Sequence, residues 1–270
     1  MRKHPILSFA ILAIVPTWAL QFLSLAMGWD LMPAKLAELF ILLGAATLVT
    51  AARDGRPGVK RLYSGALKWR MGIARFAVVL LAMPVLTLAI AAMSGSFRAP
   101  DGGWVKEVLV YLFLTLIFGA VLGNVWEETA WAGFAQSRLI DRHGLLRGSL
   151  ITAIPFALIH LPLAFEDHGL HGTTGRDLAI TWTVLFVAAP FLRYLFGMTL
   201  VDTGGSVLAV AILHASFNAS GALASVHGWW PNYVAMLALV ALMAAVRRRS
   251  QARLDERGYA SAGSVSTLTR

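Results

Sequence analysis

Two adjacent carboxylates, two histidines and an asparagine stand inside stretches that are otherwise apolar. They are Glu127 and Glu128 in Trp126-Glu127-Glu128-Thr129-Ala130-Trp131-Ala132-Gly133-Phe134, His160 in Phe156-Ala157-Leu158-Ile159-His160, and His214 with Asn218 in His214-Ala215-Ser216-Phe217-Asn218. A carboxylate base, imidazoles and an amide donor are the parts needed to activate water and to stabilise an oxyanion. The same groups make a Glu/His metal site conceivable, with Glu127, His160 and His214 as the tentative ligands of a divalent ion such as zinc. Taken singly the signals are moderate. His160 is equally compatible with a hydrogen-bonded structural role, and His214 and Asn218 with an interhelical pair.

The elements that must position these groups are helices in a membrane. Of the 270 residues 58% are hydrophobic and 14% charged, against about 45–50% and 25% in soluble domains. The mean hydropathy is +0.69. The apolar residues gather into eight runs, each near the roughly 20 residues that a helix needs to cross hydrocarbon. They are expected at about 5–27, 33–52, 71–93, 105 to beyond 126, 148–165, 178–198, 206–226 and 231–246. The expected fold is therefore all-α, a polytopic bundle of about eight transmembrane helices in one domain over 1–249. A polar tail over 250–270 is expected to be a disordered cytoplasmic extension. The first run is too long for a signal h-region and is expected to be retained.

The formal charge of +9 is a matter of topology. Arg2 and Lys3, the six basic residues from Arg53 to Arg70, the trio Arg138, Arg142 and Arg147, and the arginines from Arg247 to Arg257 alternate with loops poor in Lys and Arg. With eight spans these basic segments fall on one side, so both termini are expected to be cytoplasmic. No basic, aromatic-interleaved soluble segment exists, and no nucleic-acid partner is expected. Residues 59–70 mix Leu62, Tyr63, Leu67 and Trp69 with four basic residues and predict an amphipathic helix on an anionic leaflet. The absence of cysteine removes disulfides, thiolate metal sites and cysteine nucleophiles.

Within the spans, Glu127 and Glu128 point about 100° apart on a helix, so one can face a cavity and the other a neighbouring helix. His214 and Asn218 share a face, and Ala211, Ala215, Ala219 and Ser220 around them permit close helix approach. The five polar groups sit on three different spans, and they converge only if those spans pack together. His168 and His171 are read as loop residues, as are His143 and His227. Asp202 is read as a turn residue beside Gly204 and Gly205. Pro84 and Pro162 are candidate kinks.

The order Glu-Glu-x-x-Trp-x-Gly-Phe, Phe-x-x-x-His, His-x-x-x-Asn resembles the CPBP intramembrane proteases, which include the Rce1-like type II CAAX prenyl endopeptidases and the bacterial Abi proteins. The motif core lies over about 105–226. The resemblance implies hydrolysis of a peptide bond within the bilayer, in a membrane-associated substrate that carries a prenyl group in the CAAX case. It implies a multi-pass protein of a bacterial inner membrane. By carry-over Glu127 is the general base, His160 helps to hold the water, His214 and Asn218 stabilise the oxyanion, and Glu128 is the supporting carboxylate. The family is commonly described as metalloprotease, and a metal-free glutamate mechanism has also been proposed for it. The chain has no His-Glu-x-x-His motif.

One departure stands out. The family pattern continues Glu-Glu-x-x-x-Arg, and that Arg position is Ala132 here. Either Gln136, one turn further on, compensates, or Glu128 is left a lone neutral carboxyl and activity varies with pH. Arg193 either snorkels to an interface or reaches the place of the missing Arg. Two other readings stay open at this point: a proton-coupled transporter that uses the same cluster as a relay, and a catalytically silent scaffold or immunity protein.

Overall fold

The computed structural model describes residues 3–266, with side chains through Ser250. The tail expected to be disordered falls, for its side chains, outside the described residues. Eight apolar runs do form helices. They are α1 (Pro5–Met27), α2 (Met32–Ser64), α3 (Ile73–Met93), a composite span over Gly103–His143, α7 (Leu145–Ile159), α9 (Gly175–Asp202), α10 (Val207–Gly221) and α11 (Trp230–Ser266). The composite span consists of α4 (Gly103–Leu112), a π-helix over Phe113–Asn124, α5 (Val125–Glu128), a second π-helix over Thr129–Gln136, and α6 (Ser137–His143). A one-turn α8 (Gly169–Gly172) lies in the loop before α9.

Six of these helices are long and apolar enough to cross a bilayer. The other two, α7 and α10, have 15 residues each, about 22 Å at 1.5 Å per residue. The expected 148–165 and 206–226 spans are thus corrected to shorter helices, for two local reasons. Pro162 has no N–H to give to the carbonyl of Leu158, so the α-helical ladder of α7 stops at His160. The Leu158 carbonyl, which still accepts a backbone N–H at the helix cap, also accepts from Trp18 Nε1 of α1 at 3.0 Å. After Gly221 the chain leaves the helix, and Val226 pairs with Phe97 in an isolated bridge. The Glu107 carboxylate holds that segment by accepting from the backbone N–H of Ser225 at 3.1 Å and its hydroxyl at 2.8 Å.

A helix without lipid contact has no need to span. Every residue of α10 from Ala209 to Ser216 is buried, which makes α10 the axis of the bundle. Its small residues set the packing distance. A Cβ on Gly119 would lie 2.5 Å from Ala215 Cβ, and one on Gly197 would lie 2.5 Å from Ser149 Oγ. The outside of the bundle is the reverse. Phe40, Ile73, Val105, Phe113, Val187 and Leu242 are exposed, a belt that water would not tolerate and that lipid solvates. The protein is therefore a multi-pass all-α membrane protein.

The amphipathic segment is also corrected. α2 contains a break at Gly55 (φ 66°, ψ −166°), a conformation open to glycine alone, and the helix resumes only as far as Ser64. Leu62 is buried, whereas Leu67 and Trp69 lie beyond the helix and are exposed.

Because Gly119 meets α10 with no room for a side chain, Gly119→Val should destabilise the fold by about 1–3 kcal/mol. Gly44 has open space where its Cβ would go, so Gly44→Ala should leave the fold unchanged or slightly stabilised. Thermal unfolding of the two purified variants in detergent compares them.

Candidate active site

The Glu127–Glu128 pair sits on the single α-helical turn between the two π-helices. π-Helical segments are rare and tend to mark functional positions, since the wider turn changes which residues share a face. Here the two carboxylates diverge. Glu128 is fully buried. Arg193 Nη1 of α9 donates to both of its oxygens at 2.9 Å. His214 Nδ1 of α10 lies 2.9 Å from Glu128 Oε1. A carboxylate accepts, so that nitrogen carries the proton and Nε2 is left for other partners.

Glu127 is also buried. Its Oε2 accepts from Asn124 Nδ2 at 3.1 Å and lies 3.8 Å from His214 Nδ1. Its Oε1 is buried and has no partner among the described residues.

His160 caps the C-terminus of α7, between that helix and the 3₁₀ turn Leu161–Phe165. Its Nδ1 donates to the Phe156 carbonyl at 2.7 Å, so the tautomer is set and Nε2 is the free nitrogen. Phe156 stands between the rings, with its centroid 4.7 Å from that of His160 and 6.3 Å from that of His214. His160, His214 and Asn218 line one cavity of about 430 Å³ between α7, α9, α10 and α11. The rest of its wall is mostly apolar, including Ile180, Leu185, Leu192, Phe217 and Tyr233. Asn218 has no hydrogen-bond partner among the described residues and is exposed to this space.

The missing cation has been supplied from another helix. Arg193 comes from α9, reaches the carboxylate that the absent Arg would serve, and does not snorkel. Gln136 joins the same network: Arg193 Nη2 donates to its Oε1, and its Nε2 donates to the Arg193 carbonyl at 2.6 Å and to Ser149 Oγ at 2.9 Å. The guanidinium also lies 5.1 Å from the Phe156 ring and 5.3 Å from the Phe196 ring. The alternative of a lone, unpaired Glu128 is thereby corrected.

A cation would find a poor fit here. The ligand atoms that lie within 4.8 Å of one another belong to Glu127, Glu128 and His214, and His160 is outside that group. Arg193 already neutralises Glu128, so Glu127 and Nε2 of His214 are the ligands still open in that group. That leaves fewer than the three protein ligands of a catalytic zinc site, so no step below is routed through a metal.

Three residues of the site escaped the sequence reading. Asn124, one turn before Glu127, was legible as an i, i+3 partner. Glu38 lies within a span, which is itself a signal. It is buried, accepts from the buried Gln21 at 2.9 Å and lies within electrostatic range of Glu127. Gln21 gives no signal of its own in sequence.

Residues 108–220, somewhat under half of the chain, match the family model Type II CAAX prenyl endopeptidase Rce1-like. No curated protein matches the chain.

Removing one partner of a buried ion pair strands the other charge, at a cost of about 3–5 kcal/mol. Arg193→Ala should therefore lower the unfolding temperature sharply. Adding Ala132→Arg, which returns a cation four residues after Glu128, should recover a measurable part of the loss. A double variant no more stable than Arg193→Ala in a detergent melting assay would show that the position of the charge along the chain matters more than its presence.

Proposed function

We propose that the chain is an intramembrane endopeptidase with Glu127 as the general base, acting on a membrane-associated peptide whose apolar part lies in the α9–α11 cavity. The observation that carries this reading is the division of labour between the carboxylates. Glu128 is committed to Arg193 and His214, whereas Glu127 keeps a buried oxygen without a partner. Buried carboxylate oxygens are ordinarily satisfied, and a water is the partner that a hydrolase would put there.

In the proposed reaction Glu127 Oε1 takes a proton from that water, which His160 Nε2 helps to orient. The water oxygen bonds to the substrate carbonyl carbon, and the carbonyl π electrons move to oxygen. The oxyanion is met by the Asn218 amide and by Nε2–H of His214, a ring held between two carboxylates. Glu127 then returns its proton to the amide nitrogen as the C–N bond breaks. The apolar wall of the cavity suits a lipid-modified substrate of the CAAX type, which the family match also supports. The Lys/Arg distribution supports cytoplasmic termini, and the resemblance to bacterial Abi proteins supports an inner-membrane placement. The silent-scaffold reading drew on Ala132, and the Arg193–Glu128 pair weighs against it. Among the described residues no broken-helix repeat of the kind used by carriers supports the transporter reading.

Purified protein is to be tested in detergent against farnesylated CAAX peptides and unmodified membrane peptides. Wild type should cleave some of them. Glu127→Gln and His160→Ala should lose at least about 100-fold in kcat/KM, the scale of a positioned base. Asn218→Ala should lose about 10²-fold in kcat with little change in KM, as for an oxyanion donor. Wild-type protein that cleaves nothing across the panel while melting cooperatively would overturn the proposal. Addition of 1,10-phenanthroline should leave the rate unchanged; loss of activity that zinc restores would replace the metal-free scheme and keep the peptidase.

A further inference from the structure

At the basic end of the bundle a crevice of about 840 Å³ lies between α1, α6 and α7. It has no part in the chemistry above. Its mouth carries Lys3, Arg53, Arg138 and Arg142 together with His4 and His143. Its floor is made of apolar side chains from α1 and α7, among them Leu7, Ile14, Ile154 and Leu158. The Trp18–Leu158 hydrogen bond joins the two helices beyond its deep end.

The charges at the mouth do not cancel. Asp54 is bound to Arg138 at 2.7 Å and lies 3.6 Å from Arg53. Arg138 is further held by the Phe134 carbonyl at 3.1 Å and lies over the Phe134 ring at 4.3 Å. It forms a fixed back wall. Lys3 and Arg142 have no side-chain partner among the described residues, nor do His4 and His143. The mouth's four cations, Lys3, Arg53, Arg138 and Arg142, face two carboxylates, Asp54, already spent, and Asp141. The uncapped first turn of α1 lines the same mouth, and its free N–H groups favour an anion there.

We propose that this crevice binds an anionic phospholipid, with the phosphodiester at Lys3 and Arg142 and an acyl chain along the floor. Two observations select a lipid over a soluble anion. The floor is apolar throughout its depth, and its side chains are open to the outside of the bundle, with Leu7 59% and Ile154 58% exposed. A chain lying there covers surface that a free phosphate would leave bare. A zwitterionic headgroup would bring its own ammonium among four cations and gain less. The proposal does not depend on the peptidase reading.

The test uses the full chain, purified in neutral detergent and titrated with phosphatidylglycerol, with phosphatidylcholine of the same acyl chains, or with inorganic phosphate. Thermal stabilisation and native mass spectrometry are the readouts. Wild type should prefer the anionic lipid by about 30-fold in apparent affinity, the combined effect of two basic residues near the headgroup. The double variant Lys3→Gln, Arg142→Gln should lower that preference to near unity. Both side chains are exposed, so folding should be preserved; each single variant should show a partial loss. Arg56→Gln with Lys60→Gln removes the same charge elsewhere on the basic end and should behave as wild type. An equal loss in this control would assign the effect to general surface charge and overturn the site. So would equal binding of phosphatidylcholine, or inorganic phosphate reproducing the stabilisation alone.

Discussion

The contact between Arg193 and Glu128 is the constraint from which the site follows. Neither side chain is reached by solvent, and an ion pair taken out of water repays its desolvation only with further hydrogen bonds. Both carboxylate oxygens receive Arg193 Nη1, and Oε1 also receives His214; Nη2 of the guanidinium is held by Gln136, with Phe156 and Phe196 nearby, and Nε has no partner among the described residues. One charged pair thereby ties α5, α9 and α10 together and, through Gln136 and Ser149, brings in α7. Those helices carry the five polar groups. Any rearrangement that separated them would leave a charge stranded in hydrocarbon.

Around this network the backbone is irregular in ways that serve it. The π-helices on either side of Val125–Glu128 change the facing of the fourth span just where it carries two carboxylates. Pro162 stops α7 at His160, so that the ring sits at a helix end rather than mid-helix, and the Leu158 carbonyl near that end also anchors Trp18 of α1. The shortness of α10 belongs to the same design. A helix enclosed by others needs no length to match the bilayer, and its alanines and serines bring Gly119 and the fourth span close. Non-helical or shortened backbone is tolerated at membrane depth only when it is enclosed by protein, and both short helices meet that condition where they carry the histidines.

The two ends of polarity in the molecule have opposite characters. The central cluster is buried, paired and directional, with Glu127 Oε1, Arg193 Nε and Gln21 Oε1 left without a partner among the described residues. The basic end holds cations in excess of carboxylates. Some are committed, as Arg138 is to Asp54 and Arg247 to Asp202, and others, such as Lys3 and Arg142, are not. The first arrangement suits bond-making on a positioned substrate. The second suits a charged surface layer, and its crevice continues that layer down an apolar slot.

Composition and the spacing of apolar runs were enough to state an all-α membrane bundle, because the cost of burying unpaired backbone in lipid leaves helices as the economical solution. The bounds of α1 followed from sequence for the same reason. The types and order of Glu127, Glu128, His160, His214 and Asn218 marked them as candidates, since charge inside a span is costly. What sequence could not decide was partnership. Ala132 looked like a missing ion pair because the family pattern it resembles carries Arg there, four residues after Glu128 on the same helical face. Arg193 lies 65 residues away from Glu128, and a contact of that separation exists only once α9 has packed against α5. Gln21 and Glu38 show the same limit, one polar residue on each of two helices with no meaning until the helices meet. The length of α10 was likewise decided by tertiary structure: only the fold reveals which apolar helix is surrounded by protein and need not span, whereas the end of α7 is set locally by Pro162.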